Sequence, residues 1–153
     1  MVFEHDYKNY PELSNSQIAE FGFSSPHKQI TEDFTATVIK VHDGDTVTLR
    51  TDFRDFDFPL RLAGVDSPEM NNGGEEARDW LKNKILNQDV QIIIDPDNRV
   101  GKYGRLIGQL MFRGMDMAQE EIYLGLAFEF GKKLEGEVYN ADKIFSTKQW
   151  VTS

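Results

Sequence analysis

Residues 35–49 constrain the fold of this chain most, because they have the pattern of a β-hairpin. Residues 35–41 are rich in β-branched side chains, and residues 46–49 resume an alternating apolar pattern. Between them, His42-Asp43-Gly44-Asp45 contains the Asp-Gly pair that is typical of tight hairpin turns. The sequence therefore predicts an antiparallel hairpin and a domain built mainly from strands.

Three further strands and two helices are predicted downstream of the hairpin. The strands cover 58–65, 90–94 and 105–112, and the helices cover 75–86 and the residues between the capping Asp116 and Gly125. Apolar side chains recur at helical spacing in 75–86, and acids lie in its first turn. The predicted fold class is α+β, mainly β: a five-stranded OB-fold barrel with two to three packed helices.

The pattern divides the chain into three parts. Residues 1–33 form an N-terminal appendage with one short helix, where Ser14 and Gln17 fit a capping box. Residues 34–130 form the barrel domain, and residues 131–153 form a polar C-terminal tail. The N-terminal segment is a candidate contact for a partner protein, within a larger assembly.

Composition limits the classes of function. A net charge of −9 opposes non-specific attraction to nucleic acid, although a local cationic site beside a bound metal can still take a phosphate. The absence of cysteine excludes disulfides and thiolate zinc sites. The start of the chain has no signal-peptide pattern, and no apolar run reaches membrane-spanning length. We expect a soluble, cytoplasmic protein with no membrane contact.

The segment 61–69, Arg-Leu-Ala-Gly-Val-Asp-Ser-Pro-Glu, places a cation, a hydroxyl and two acids at the end of a predicted strand. Alternation along that strand predicts that Arg61 and Val65 share a face. Asp45 begins one strand and Asp66 ends the next, and such carboxylates are hard oxygen ligands for Ca²⁺ or Mg²⁺. A turn with solvated surface acids explains the same pattern.

Three other side chains suit phosphodiester chemistry. Glu69 follows Asp66 closely enough to orient or deprotonate a water beside such an ion. Arg61 and Arg105 offer forked donors to phosphate oxygens, whose charge grows during attack. Taken singly, each is better explained as a rim ion pair or a solvated side chain.

Five motifs, in order, resemble those of the staphylococcal nuclease (thermonuclease) family. They are Ala-Thr-Val-Ile-Lys-Val-His-Asp-Gly-Asp-Thr-Val at 36–47, Leu-Arg-Leu-Ala-Gly-Val-Asp-Ser-Pro-Glu at 60–69, Gly-Glu-Glu-Ala at 74–77, Lys-Tyr-Gly-Arg at 102–105 and Gly-Leu-Ala at 125–127. The resemblance covers about 34–128. It implies a five-stranded OB-type barrel and Ca²⁺-dependent cleavage of DNA or RNA.

The resemblance also implies roles for individual residues. Asp45 and Asp66 would ligate calcium through their carboxylates, Ser67 would do so through its backbone carbonyl, and Glu69 would be the general base. Mg²⁺ is accepted by the same ligands.

On the substrate side, the resemblance implies that Arg61 and Arg105 clamp the phosphate and stabilise the transition state. Arg105 would assist the leaving oxygen, and Lys102 and Tyr103 would flank the nucleotide.

The chain also departs from the family pattern. Gly101 replaces an acid that precedes the Lys-Tyr-Gly-Arg motif. Gly131 and Lys133 fall where a tyrosine pair packs on the nucleotide, and Tyr139 is a distant substitute. Because base stacking on aromatics contributes about 1–3 kcal/mol per base, we expect weaker substrate binding with the catalytic positions intact.

Two functions are favoured over a third, a sequence-tolerant OB-fold that binds single strands without catalysis, because such a groove needs basic and aromatic surface that this chain supplies sparsely. The first is a metal-dependent nuclease that hydrolyses phosphodiester bonds of DNA or RNA by in-line attack of a metal-associated water. The second is a nuclease-like barrel that serves as a structural or interaction module in a larger assembly, which the acidic charge and the missing tyrosines favour.

Overall fold

The computed structural model of the chain describes residues 29–101 and 104–131. Its strands are β1 (Phe34–Asp43), β2 (Thr46–Arg50), β3 (Phe58–Leu62), β4 (Val65–Asp66), β5 (Asp89–Ile93), β6 (Leu106–Phe112), β7 (Met115–Asp116) and β8 (Phe128–Glu129). Its helices are α1 (Gly74–Ile85), α2 (Met117–Tyr123) and a 3₁₀ turn at Met70–Asn72. The helix predicted near Ser14, the tail from residue 132 onward, and both Lys102 and Tyr103 lie outside the described residues.

Five strands close into a barrel. They are hydrogen-bonded in the order β3-β2-β1-β5-β6, and β6 then pairs with β3 to complete the ring. The closing pair is parallel, with Leu60 opposite Leu106, whereas the other four pairs are antiparallel. The predicted five-stranded OB-type barrel with packed helices is therefore confirmed.

The long strand β1 takes part in two halves of the barrel. Its first residues pair with β5, and its later residues pair with β2 across the predicted hairpin, ending with Asp43 opposite Thr46. Two register irregularities interrupt the pairing with β2. Such bulges bend a strand and increase its twist, which lets one continuous segment follow the curve of a small barrel.

Alternation along the strands fills the barrel interior. In β3, Phe58, Leu60 and Leu62 are fully buried, whereas the intervening Arg61 is only partly covered. One apolar face of α1 covers the barrel through Ala77, Leu81 and Ile85. No helix in the described parts of the chain is long and apolar enough to cross a bilayer.

The third strand is shorter than its sequence pattern predicts. It ends at Leu62, and the chain turns at Gly64, whose φ of 83° is readily adopted only by glycine. Val65 then begins β4, which pairs with β8 in a separate two-stranded sheet. The expectation that Arg61 and Val65 share one strand face is therefore wrong, because the turn carries Val65 into the core.

Residues 29–33 pack against the barrel. Ile30 belongs to the hydrophobic core with 4% exposure, and its carbonyl accepts a hydrogen bond of 2.9 Å from the Arg99 guanidinium. The Asp33 carboxylate accepts a hydrogen bond of 2.7 Å from the backbone N–H of Ile94. These contacts attach the segment before β1 to the end of β5.

Candidate active site

Arg61 joins the turn after β3 to two carboxylates. Its Nη1 donates hydrogen bonds to the carbonyl oxygens of Leu62, at 2.8 Å, and Val65, at 2.6 Å. Its Nη2 lies 2.6 Å from Oδ1 of Asp66 and 3.5 Å from Oδ2 of Asp45. The structure therefore brings together Arg61, Asp45 and Asp66, which the sequence predicted to share a site.

Asp45 is fixed by the hairpin turn on one side and by the segment after β4 on the other. Its Oδ1 accepts a hydrogen bond from the Thr46 hydroxyl at 2.9 Å, and its Oδ2 accepts one from the backbone N–H of Ser67 at 2.9 Å. Its backbone carbonyl also accepts a hydrogen bond from the N–H of Leu62 at 2.7 Å. These contacts place Asp45 and Ser67 next to each other, as predicted.

Asp66 is held by the segment that follows α2. Its Oδ2 accepts a hydrogen bond from the backbone N–H of Gly131 at 2.9 Å, and its backbone pairs with that of Phe128. Phe130 lies between Phe128 and Gly131 in the chain and is 69% exposed. Its ring centroid is 5.9 Å from the guanidinium carbon of Arg61. Sequence analysis missed this aromatic neighbour, which is one residue away from the aligned position at Gly131.

The two hairpin acids, Asp43 and Asp45, have pKa values shifted in opposite directions. Burial raises the pKa of Asp43 to about 6, and the hydrogen bond with Asp45 and the charge of Asp45 act in the same direction. Burial also raises the pKa of Asp45, but its hydrogen bond with Asp43 and the Arg61 charge outweigh burial and hold that pKa below its usual range. Asp45 therefore stays ionised down to low pH, whereas Asp43 takes up its proton as the pH falls through about 6.

A further carboxylate, Glu121, lies behind this turn and was also missed. Its side chain on α2 is fully buried, and neither oxygen has a hydrogen-bond partner among the described residues. Burial raises its pKa well above the usual value, and the charges of Asp45 and Asp43 add to the rise. A sequence signal was present, because Glu121 has helical spacing to Met117 and Ala118, which face the core.

Arg105 and Arg61 lie on the same side of neighbouring strands. Arg105 directly precedes β6, where Leu106 is buried opposite Leu60 of β3. Because side chains alternate along an extended chain, Arg105 points away from the core, as Arg61 does. This register supports the predicted pair of arginines, although the described contacts do not join the two guanidinium groups directly.

Glu69 lies two residues after Ser67 and is exposed. Its backbone carbonyl accepts hydrogen bonds from the N–H groups of Asn72, at 2.8 Å, and Gly74, at 2.9 Å, which close the 3₁₀ turn. A side chain at Gly74 would collide with the carbonyl of Pro68, so this tight approach to α1 requires glycine. The backbone of Glu69 is thus fixed, and the residue as a whole is exposed.

The donor set fits a hard divalent cation by its chemistry. Asp45 and Asp66, which both contact Arg61, provide carboxylate oxygens, which suit Ca²⁺ and Mg²⁺. In the described part of the chain, no three His, Asp or Glu side chains converge closely enough to ligate one ion. The Arg61 guanidinium instead bridges the first two acids.

One protein family and several individual proteins are similar to this chain. Residues 59–149 match the family described as staphylococcal nuclease homologue. The thermonuclease of Staphylococcus hyicus is 32% identical over 108 residues, which cover 66% of this chain and 59% of that protein. The probable endonuclease lcl3 of Aspergillus flavus is 30% identical over 107 residues, covering 59% and 38%. The probable endonuclease LCL3 of Pyricularia oryzae is 34% identical over 90 residues, covering 52% and 34%.

The chain spans less than two thirds of the length of each of these relatives. The family match nevertheless covers more than half of the chain, and it includes Arg61, Asp66, Glu69 and Arg105. This chain belongs to the staphylococcal nuclease homologue family.

Proposed function

We propose that this chain is a nuclease that hydrolyses phosphodiester bonds of DNA or RNA, and that its activity depends on a divalent cation, preferably Ca²⁺. The observation that carries the proposal is the contact of one guanidinium, that of Arg61, with the carboxylates of both Asp45 and Asp66. A phosphate bound by Arg61 would lie directly beside the carboxylates that suit a cation. Family membership and the printed names of the relatives support the same activity.

The cation would be held by the carboxylates of Asp45 and Asp66 and by the backbone carbonyl of Ser67. When bound, it supplies positive charge beside the phosphate and so favours the extra negative charge of the transition state. The low pKa of Asp45 supports its role as a ligand, because an ionised carboxylate is available near neutral pH. Mg²⁺ is a second candidate, since it takes the same oxygen donors.

The remaining steps belong to three side chains. Arg61 and Arg105 would bind the phosphate oxygens through their forked donors, and their shared side of the barrel supports this. Glu69 would accept a proton from the attacking water as the new bond between oxygen and phosphorus forms. The bond to the leaving oxygen breaks on the opposite side, and Arg105 would donate a hydrogen bond to that oxygen. The exposure of Glu69 supports its access to water.

A second candidate function is a non-catalytic interaction module with the same barrel. The net charge of −9 favours it, because the overall field of the chain repels polyanions. Both candidates predict a folded domain, so only an activity assay separates them.

The experiment is a cleavage assay on plasmid and single-stranded DNA and on RNA, with Ca²⁺, with Mg²⁺ and with chelator. The wild type is compared with Arg105→Ala and with a control, Arg50→Ala, which removes the same charge from an exposed ion pair with Asp57. We expect calcium-dependent cleavage that Arg105→Ala slows by about 10²–10³-fold, as for loss of one transition-state donor. Arg50→Ala should cleave at the wild-type rate.

Two results would contradict the proposal. Full activity in chelator would remove the cation from the mechanism. If folded protein cleaves no substrate under any condition, the interaction module becomes the better explanation.

A further inference from the structure

A cavity of about 460 Å³ lies outside the proposed active site and is lined by residues of α1, of the β6–β7 hairpin and of α2. Its lining includes Trp80 and Lys84 from α1 and Phe112 and Arg113 from the hairpin. The volume is within the range of small-molecule sites, roughly 300–1,000 Å³. None of the lining residues belongs to the proposed cleavage mechanism, so the cavity has no role in it.

Two aromatic rings of the cavity each lie beside a cation. The ammonium nitrogen of Lys84 is 5.9 Å from the centre of the Trp80 ring, and the guanidinium carbon of Arg113 is 4.9 Å from the centre of the Phe112 ring. Both rings are half-buried, whereas both cationic residues are exposed. Within residues 29–101 and 104–131, neither cation forms a salt bridge. Two positive charges therefore face this cavity in a chain whose net charge is −9.

The backbone of Arg113 adds an independent observation. Arg113 and Gly114 have φ values of 52° and 79°, and they form the two-residue turn between the paired residues Phe112 and Met115. Asparagine or glycine normally occupies the first position of such a turn, because other side chains adopt this left-handed conformation at a cost in free energy. An arginine in this conformation indicates a use for its guanidinium group.

The mixed chemistry of the cavity matches that of a nucleotide. Aromatic rings suit stacking of a base, and ammonium and guanidinium groups suit a phosphate. Glu120 also lines the cavity, and its carboxylate would repel a simple anion but can accept hydrogen bonds from sugar hydroxyls. Asn83 and Gln88 add amide donors and acceptors for the edge of a base. A simple anion or an apolar molecule would leave part of this set unused.

We propose that this cavity is a second nucleotide-binding site. It takes one nucleoside phosphate unit, with the base against Trp80 and Phe112 and the phosphate held by Lys84 and Arg113. The unit is either a free nucleotide or one residue of a bound single strand. Because α1 begins at Gly74, next to the turn after Glu69, and rises 1.5 Å per residue, the cavity lies about 15 Å further along the helix. Binding here is separate from the proposed active site and does not require cleavage.

The test measures nucleotide binding in chelator, so that no divalent cation contributes. The probes are adenosine 5′-monophosphate, a short single-stranded oligoadenylate, ribose 5-phosphate, which lacks the base, and oligoglutamate, which is an anion without nucleotide chemistry. Fluorescence anisotropy of labelled oligoadenylate and competition by the other probes give the affinities. The chain has two tryptophans, so quenching of Trp80 by adenosine 5′-monophosphate is recorded in a Trp150→Phe background.

Lys84→Gln and Arg113→Asn each remove one cation, and each should weaken oligoadenylate binding by about 3–5-fold, the upper range for one exposed ion pair. Arg113→Asn should also melt at or above the wild-type temperature, because asparagine tolerates the left-handed conformation. The matched control is Lys82→Gln, an exposed lysine of α1 that does not line the cavity, and it should bind as wild type does. Ribose 5-phosphate should bind about 5–100-fold more weakly than adenosine 5′-monophosphate, because it cannot stack.

Wild-type affinity in both Lys84→Gln and Arg113→Asn would overturn this inference, and so would equal weakening by Lys82→Gln, which would indicate a general charge effect. Oligoglutamate or ribose 5-phosphate binding as tightly as adenosine 5′-monophosphate would overturn it too, because the cavity would then recognise only negative charge. A response of both nucleotide probes to the variants supports a site for free nucleotides, and a response of oligoadenylate alone supports a site for a bound strand. Each of these outcomes leaves the proposed nuclease function standing, since cleavage is assayed separately with Ca²⁺.

Discussion

Arg61 shows how much of the site depends on the chemistry of one side chain. Its planar guanidinium donates from one nitrogen to two carbonyl oxygens and from the other to Asp66, with Asp45 within ion-pair distance. A lysine ammonium is a compact charge without this fork and could not hold the same four groups in fixed directions. The residue thus orders the turn after β3 and the two acids together.

The types of residue at the site followed from the sequence, but several contacts did not. The spacing of Asp45, Arg61 and Asp66 around a hairpin and a strand end indicated a shared site. Glu121 was missed because a glutamate on a short helix is normally solvated, and its burial depends on how α2 packs. Its helical spacing to Met117 and Ala118 put it on the core face, but that spacing alone does not show whether a charged side chain there is buried.

The close approach at Gly44 gives a stability prediction. A methyl group there would meet Oε1 of Glu121 and the Cβ of Ala77, the latter at 2.9 Å. Overpacking of this kind costs about 1–3 kcal/mol, so Gly44→Ala should lower the free energy of unfolding by that amount in urea titration. The control is Gly101→Ala, whose added methyl would lie 3.3 Å from the flexible end of Ile107 and at ordinary contact distance, 3.7 Å, from the Arg105 carbonyl, and should change stability little. Equal free energies of unfolding for Gly44→Ala and wild type would contradict this prediction and show that the surroundings of Gly44 relax to accommodate the methyl group.

At the scale of elements, the strands and helices of the barrel could be predicted, but the small sheet formed by β4 and β8 could not. The hairpin, α1 and β6 have long periodic patterns, and the structure has them close to the predicted bounds. The two-residue strands β4 and β8 are too short to have a period, so their pairing could not be predicted. This small sheet brings Phe130 beside Arg61.

The exposed ring of Phe130 gives a prediction for substrate binding. An exposed aromatic beside Arg61, the arginine that we propose binds phosphate, offers a stacking surface for a base. Phe130→Ala should therefore weaken binding of a short single-stranded oligonucleotide by about 1–3 kcal/mol. Binding is measured by fluorescence anisotropy with calcium, in a Glu69→Gln background that prevents cleavage. Tyr123→Ala is the control, because this aromatic is equally exposed, at 72%, but lies on α2. Unchanged affinity in the Phe130 variant would exclude stacking there.

At the scale of the whole molecule, the negative net charge of the chain is opposite in sign to the arginines of the proposed phosphate site. The net charge is −9, whereas the proposed phosphate site depends on the cations of Arg61 and Arg105. A nuclease with a broad basic surface would contact many phosphates, and its affinity would fall steeply with salt. We therefore expect the proposed nuclease to bind substrate mainly at a compact site, where a bound divalent cation would offset the nearby acids.

This contrast gives a prediction for the salt dependence of binding. Each phosphate neutralised on duplex DNA contributes a slope of about −0.9 to the plot of log affinity against log salt, so two arginines predict a slope of about −2. The slope is measured by fluorescence anisotropy between about 50 and 200 mM monovalent salt at fixed calcium, because affinity falls over this range in proportion to the number of phosphate contacts. Arg105→Ala removes about one phosphate contact and should therefore make the slope less steep by about 0.9. Arg50→Ala should leave the slope unchanged. A slope of about −5 or steeper would contradict a compact site and would require an extended basic surface beyond these two arginines.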